Sequence, residues 1–316
     1  MSPTLALLVT YHNERDLLRE CLASFVSSHD TPDEIIVYDD ASDAPANEYV
    51  PPSVNARVIR ATATGGPARG RNALLRATRA DYIHFHDADD FVLPEWCSRV
   101  RTAIADGGPD VVFTEVSSVQ NGAVLSERVL EIDRLVTADA DLVSFCLRGS
   151  MLVPAGTYRR SVVEAVGGYR ETLWQSEDFD FHVRLAASGV SFSILPDPLV
   201  VIRVRPESRS QNRLEVWTSI VDAVAALARE LPASYRPELA EAAARAGSQL
   251  YKLKARQRAR EAFALASRLG PPVFDGQSSY YRWVARTFTP EVAEELGLLY
   301  RALLPGAVRA RARQLT

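Results

Sequence analysis

The sequence predicts an α/β fold: a mostly parallel sheet flanked by helices, followed by an all-helical C-terminal module. Three observations carry the prediction. Apolar runs of strand length alternate with amphipathic helical stretches through the first half. Two of these runs end in clustered acids, Tyr38-Asp39-Asp40 and His86-Asp87-Ala88-Asp89-Asp90. That puts charge at the carboxyl ends of strands, where ligands collect in open α/β sheets. After about Arg213 the strand pattern stops, and residues 214–316 carry 15 Lys+Arg against 10 Asp+Glu in a chain whose totals are 36 and 40. The expected boundaries are residues 1–213, divisible into halves 1–90 and 91–213, and residues 214–316.

The elements follow from periodicity. Leu5 to Thr10 is a first strand. Glu14 to Ser27 is a helix with Leu17, Leu18, Cys21, Leu22 and Phe25 on one face. Glu34 to Tyr38 and Ala56 to Ala61 are strands. Gly65-Gly66-Pro67 opens a helix that runs to about Thr78. Asp81 to His86 is a buried strand ending in three carboxylates within four residues. Like charges that close raise one another's pKa unless a cation compensates them, and hard oxygen ligands suit Mg²⁺ or Mn²⁺. Beyond it come a helix from about Pro94 to Ala105, a strand from Asp110 to Val116 and a hairpin turn at Asn121-Gly122. A short helix is expected from Asp139 to Leu147, a loop at Gly167-Gly168-Tyr169 and a helix from Glu177 to Ala187. Two strands, Ser191 to Leu195 and Leu199 to Val204, are separated by Pro196 and Pro198.

Composition narrows the class. The formal net charge is −4, so the molecule as a whole does not advertise nucleic-acid binding. Cys21, Cys97 and Cys146 are scattered in apolar contexts. That argues against a disulfide framework or a zinc site and for reduced core residues in a cytoplasmic protein. No apolar stretch reaches the roughly 18 residues of a membrane span, and no basic leader or cleavage site precedes the first strand.

Five segments in order complete the reading: Val9-Thr10-Tyr11-His12-Asn13-Glu14, Val37-Tyr38-Asp39-Asp40-Ala41-Ser42-Asp43, Gly65-Gly66-Pro67-Ala68-Arg69-Gly70-Arg71-Asn72, His86-Asp87-Ala88-Asp89-Asp90, and Trp174-Gln175-Ser176-Glu177-Asp178. Together they resemble the family 2 glycosyltransferases of the GT-A fold, over residues 4 to about 212. The resemblance implies an inverting, metal-dependent transfer from a nucleoside-diphosphate sugar, with UDP the expected carrier. The acceptor would be a carbohydrate, a lipid-linked molecule or a protein in surface polysaccharide, glycolipid or glycoprotein assembly.

The same resemblance assigns roles. Thr10 and Tyr11, continuing through Asn13 and Glu14, would cradle the nucleotide. Asp39 would accept a hydrogen bond from the base. Gly66 and Arg71 would lie near base or phosphates, although the glycine turn has an equal claim to a purely conformational role. Asp87, Ala88 and Asp89 stand at the Asp-X-Asp position. Asp89 would be the direct metal ligand, and Asp87 would contact the ribose or a metal-bound water. The alternative for these acids, Asp90 above all, is capping of the next helix. Asp178 would be the general base, with Glu177 orienting the acceptor; the alternative is an acidic first helical turn favoured by the dipole. Trp174 would stack on a sugar ring or fill the core. Many relatives carry Arg-X-His after the last strand, where this chain has Arg203-Val204-Arg205. An arginine cannot ligate a metal but grips phosphate oxygens. Arg203 or Arg205 is therefore expected on the diphosphate, with weak metal affinity in the absence of nucleotide.

Other histidines carry less. His12 and His86 lie beside ligand loops, His84 reads as core, and His182 either tunes Asp178 or lies on the helix surface. In the C-terminal module, residues 250–260 form a basic amphipathic stretch, and Tyr300 to Leu304 lead to Arg309, Arg311 and Arg313. These suggest peripheral contact with anionic lipid, or charged faces on helices that pack on the catalytic domain or a second copy. Two other functions fit less well: a sugar-phosphate nucleotidyltransferase, which would need a Gly-rich phosphate loop after the first strand, and a non-catalytic nucleotide-sugar-binding protein.

Overall fold

In the computed structural model, nine strands among the described residues form one mixed sheet, in the order β3 (Ala56–Arg60), β2 (Glu34–Asp39), β1 (Leu5–Tyr11), β4 (Tyr82–Asp87), β8 (Gly156–Arg159), β6 (Val111–Gln120), β9 (Phe192–Arg203) and β5 (Phe91–Val92), with β7 (Ala123–Ser126) paired to β6. The structure describes residues 2–27, 30–105, 107–136, 141–149, 151–270, 279–287 and 289–303. The chain divides into two units, Met1–Gln211 and Asn212–Thr316, two residues before the expected boundary.

The N-terminal unit begins with β1 (Leu5–Tyr11), α1 (Asp16–Val26), β2 (Glu34–Asp39), β3 (Ala56–Arg60), α2 (Gly66–Ala77) and β4 (Tyr82–Asp87). Within it β1, β2, β3 and β4 run parallel, with Thr10 level with Tyr38 on one side and Asp87 on the other. Parallel strands aligned in this way bring their carboxyl ends to a single edge. β1 is buried from Leu5 to Val9, and Leu18, Cys21, Leu22 and Phe25 of α1 are buried too. Burial of such side chains contributes about 1.5–3 kcal/mol each.

The second half holds β5 (Phe91–Val92), α3 (Trp96–Ile104), β6 (Val111–Gln120), β7 (Ala123–Ser126), α4 (Leu142–Arg148), β8 (Gly156–Arg159), α5 (Arg160–Ala165), α6 (Glu177–Ala187) and β9 (Phe192–Arg203). β8 is antiparallel to both β4 and β6, β5 is antiparallel to β9, and β6 is parallel to β9. The sheet is thus mixed, with β8 and β5 adding antiparallel pairings to the parallel strands. The two strands expected on either side of Pro196 and Pro198 are one strand, β9. Its prolines fall where the register against β6 shifts at Thr114–Val116, and a bulge tolerates the missing N–H groups. Buried Glu115 sits at that irregularity and accepts from the backbone N–H groups of Val116, Leu130 and Ile132. Asn121 and Gly122 turn the β6–β7 hairpin with positive φ at both positions. The start of the expected 139–147 helix lies outside the described residues.

The C-terminal unit comprises α7 (Arg213–Glu230), α8 (Arg236–Lys252), α9 (Arg256–Leu269), α10 (Ser279–Thr287) and α11 (Pro290–Leu303). The alanine-rich face of α8 lets α9 approach so closely that a Cβ on Gly247 would stand 2.7 Å from the Phe263 ring. Tyr281 of α10 donates to Glu294 of α11 at 2.6 Å, and Tyr251 of α8 to Glu295 at 2.7 Å. The basic stretch 250–260 is not one helix. α8 ends at Lys252, Lys254 adopts φ 65°, and α9 starts at Arg256. Arg309, Arg311 and Arg313 lie outside the described residues.

Candidate active site

The loops following β1, β2 and β4 meet the start of α6 and the end of β9 around one cleft of about 740 Å³. Eight acidic residues and four arginines line it.

The acids after β4 are held individually. Asp87 accepts from Thr10 Oγ1 at 2.9 Å and from Arg71 Nη2 at 2.8 Å. Burial alone would raise its pKa, but Arg71 and these bonds bring it below the usual carboxylate value. Asp89 is raised by burial and by neighbouring Asp87, against an opposing ion pair from Arg205 Nη2 at 2.6 Å. Asp90 accepts from the Arg203 backbone N–H at 2.8 Å, and burial raises its pKa well above the ordinary value. It therefore clips the acid loop to β9 and is not a helix cap; α3 begins only at Trp96. The two-residue strand β5, level with Val200 and Val201 of β9, fixes this alignment. Part of the compensation that clustered acids demand thus comes from the chain's own arginines.

Arg71 joins the two acidic centres. Its guanidinium is almost fully buried, reaches Glu177 Oε1 at 2.6 Å as well as Asp87, and lies 5.2 Å from the Tyr169 ring centroid. Tyr169 is fixed in turn. Asn72 grips its backbone N–H and C=O at 2.8 Å each, and its ring stacks on Phe181 of α6 at 4.3 Å. Asp178 accepts from the Phe179 N–H, and burial followed by the Glu177 charge pushes its pKa up to about 7. His182 is buried and bonded to the Asp178 carbonyl oxygen at 2.8 Å and to the Tyr158 hydroxyl at 2.7 Å. It is not on the helix surface, and burial lowers its pKa to about 3. Glu14, raised to about 7 chiefly by burial, lines the same cleft.

Of the residues singled out from sequence, Thr10, Tyr11, Asn13, Glu14, Gly66, Arg71, Asp87, Ala88, Asp89, Glu177, Asp178, Arg203 and Arg205 all line the cleft. Asp39 does not. It is fully buried, and its carboxylate accepts from the backbone of Ser42 at 2.8 Å and Ala46 at 3.0 Å and pairs with Arg60. These bonds hold the loop after β2, and it is neighbouring Asp40 that lines the cleft. Gly66 lines the cleft with φ +79°, but its N–H and that of Gly65 both donate to Asp40 at 2.8 Å. The amide cradle at the start of α2 is thus filled by the chain's own carboxylate rather than open to a phosphate. Asn13 bonds to Ser42 and Ala44, and Tyr11 donates to the Ala44 carbonyl at 2.7 Å, so both brace the loop after β2. His86 is buried against Phe25 and His84 and stays out of the cleft, whereas His12 lines it.

Sequence reasoning missed the Arg205–Asp89 pair and the Arg209–Trp174 contact. Trp174 is 50% exposed at the cleft wall with the Arg209 guanidinium 5.1 Å from its ring centroid, so it is not a core residue. Among the described residues no group of three or more His, Cys, Asp or Glu is arranged to hold a metal ion. Asp87 and Asp89 offer the hard oxygens a divalent cation takes, and water and the oxygens of a bound anion would complete its shell.

A family model described as Glycosyl transferase family 2 matches residues 6–167. O-antigen biosynthesis protein RfbC of Myxococcus xanthus is 26% identical over 238 residues, covering 72% of this chain and 18% of its own length. The next two curated relatives are spanned over 61% and 60% of their lengths, so the chain covers less than two thirds of the curated relatives it first matches. The crystal structure of S. aureus TarS 1-349 in complex with UDP-GlcNAc superposes with a TM-score of 0.67 at 19% identity, over 92% of this chain and 90% of that one. The mannosyltransferase PcManGT from Pyrobaculum calidifontis, solved with GDP-Man and Mn²⁺, gives 0.58 at 20% identity over 95% and 88%. At these identities the likeness is one of fold, and the fold is of the GT-A type.

Proposed function

Because the chain belongs to glycosyl transferase family 2, we propose that residues 1–211 move a sugar, with inversion, from a nucleoside-diphosphate sugar to an acceptor hydroxyl, with Mg²⁺ or Mn²⁺ bound. UDP is the carrier we favour. The observation that carries this reading is that both acidic centres, Asp87/Asp89 and Glu177/Asp178, line a single cleft and share Arg71. A pyrophosphate among eight acidic residues and four arginines gains from added positive charge, which supports the cation. Asp89, with Asp87 beside it, would hold it, and when bound it supplies Lewis-acid stabilisation of the departing diphosphate. Arg203 at the end of β9 and Arg205 just beyond it line the same cleft.

Asp178 takes the acceptor proton. Its raised pKa makes it a stronger base than an exposed carboxylate while leaving it ionised above neutral pH. Glu177, fixed by Arg71, orients the acceptor. One base suffices for single displacement, whereas retention through a covalent intermediate needs a positioned nucleophile. The O-antigen function of one relative supports an acceptor in surface polysaccharide assembly. Three buried, unpaired cysteines support a cytoplasmic setting, and no described helix is long and apolar enough to cross a membrane. Contact of the helical unit with lipid or a second copy belongs to the same proposal. Exposed Tyr280, Trp283, Leu299 and Tyr300 support it, and vesicle flotation and gel filtration test it.

A thermal-shift screen of UDP- and GDP-sugars with Mn²⁺ tests the donor, since a ligand that binds the native state raises the melting temperature. Asp178→Asn should abolish transfer while retaining nucleotide affinity. No shift with any nucleotide sugar, or loss of nucleotide affinity together with transfer, refutes the assignment.

A further inference from the structure

We propose that Arg205 is an exchangeable counter-ion that makes binding of a divalent cation at Asp89 conditional on a bound diphosphate; the proposal rests on the nucleotide-sugar reading above. Three arginines surround the acid loop, and two of them have a second acidic residue to hold them. Arg71 is tied to both Asp87 and Glu177 in a buried site. Arg203 donates to the Asp89 carbonyl at 2.6 Å, pairs with Glu20 at 2.6 Å and lies 4.5 Å from the Phe91 ring centroid. Among the described residues, Arg205 has one ion-pair partner, Asp89, and its Nε–H has no acceptor.

The pair also stands where it can open. Side-chain exposures of 28% for Arg205 and 19% for Asp89 put it at the cleft wall. Separating it there costs far less than separating a buried pair. The guanidinium fork suits two oxygens of a diphosphate at once. While Arg205 holds Asp89, a cation approaching that carboxylate meets a positive charge, and among the described residues no group of three His, Cys, Asp or Glu is arranged to hold it. Once a diphosphate draws Arg205 away, Asp89 loses its ion-pair partner next to the Asp87 charge, and phosphate oxygens become available as further ligands. Cation affinity then rises, and by reciprocity the cation tightens the nucleotide by the same factor.

Electron paramagnetic resonance of free Mn²⁺, titrated into the full chain, reads this without any transfer assay. The wild type should bind Mn²⁺ weakly alone and at least about tenfold more tightly with saturating UDP. Without nucleotide, Arg205→Ala and Arg205→Gln should each bind Mn²⁺ severalfold more tightly than wild type. Arg209→Gln removes a cleft arginine that holds no acid and should leave Mn²⁺ affinity unchanged. Circular dichroism confirms the fold of each variant. Tight Mn²⁺ binding by the nucleotide-free wild type overturns the proposal. So do unchanged affinity in both Arg205 variants, an equal rise in Arg209→Gln, or UDP binding that leaves Mn²⁺ affinity where it was. Calorimetry showing that neither UDP nor GDP binds, with or without Mn²⁺, overturns the nucleotide-sugar reading itself.

Discussion

Replacing Asp178 by Asn should stabilise the fold at the same time as it removes the proposed base. Burial and the neighbouring Glu177 charge raise the Asp178 pKa from 3.8 to about 7, so the folded state disfavours the ionised form. The stability associated with the protonated carboxyl is complete below about pH 3.8 and is lost as pH rises through about 7. At roughly 1.36 kcal/mol per pKa unit, the penalty at pH 8 is on the order of 4 kcal/mol. Water at the cleft-facing side of the carboxylate reduces it, so a gain of about 2–4 kcal/mol is expected for Asn, which does not ionise. The Asn Oδ1 can still accept the 2.8 Å bond from the Phe179 N–H, so the helix start is kept. For a unit of this size the melting temperature should rise by about 5–10 °C at pH 8, with the gain shrinking steadily toward pH 4. Calorimetric scans of variant and wild type across this range measure the difference and cancel contributions from other groups such as Glu14. A variant less stable than wild type at pH 8, or a gain independent of pH, would show that the carboxylate is not strained in the fold.

Three further outcomes follow from the same geometry. Arg71→Met leaves Asp87 and Glu177 without their shared partner and should cost about 3–5 kcal/mol, read as a lowered midpoint in chemical unfolding; Arg71→Lys should recover only part of it. Gly66→Ala forces a side chain into φ +79° and against the Trp174 ring, with a Cβ 3.1 Å from Cζ3; a loss of about 1–2 kcal/mol and a shift of tryptophan emission are expected. Transfer by the wild type should rise with pH through about 7 and stay level above it. No limb from His182 is expected, because its pKa lies near 3; a second inflection that disappears in His182→Gln would contradict this.

The parallel half of the sheet was legible because each strand is a short apolar run bounded by turn chemistry, and its acids fall at one edge by topology alone. The helix beginning at Glu177 was read to its last residue. β8 and β5 were not: Gly156–Arg159 and Phe91–Val92 are too short for periodicity, and only pairing with distant strands defines them. β9 reads as two strands in the sequence because its prolines disqualify a strand interior unless the partner strand carries a compensating irregularity, which no local pattern reveals. At the site, residue type and order located the cleft but not the partner of each charge. The adjacent Asp39 and Asp40 look alike in sequence; alternation along the strand end sends one inward to Ser42 and Ala46 and the other to the glycine amides. The compensation of Asp89 by Arg205 spans more than a hundred residues and depends on the register of β5 against β9.

That two-residue ladder has an evolutionary corollary. The acids hang from one side of it and the arginines of 203–209 from the other, so the cationic segment can be exchanged, lengthened or recharged while the carboxylates stay where they are. Under the proposed nucleotide-sugar reading, edits to a handful of positions after β9 change the charge presented to the donor, and grafting that segment between relatives is the shortest route to testing this in the laboratory.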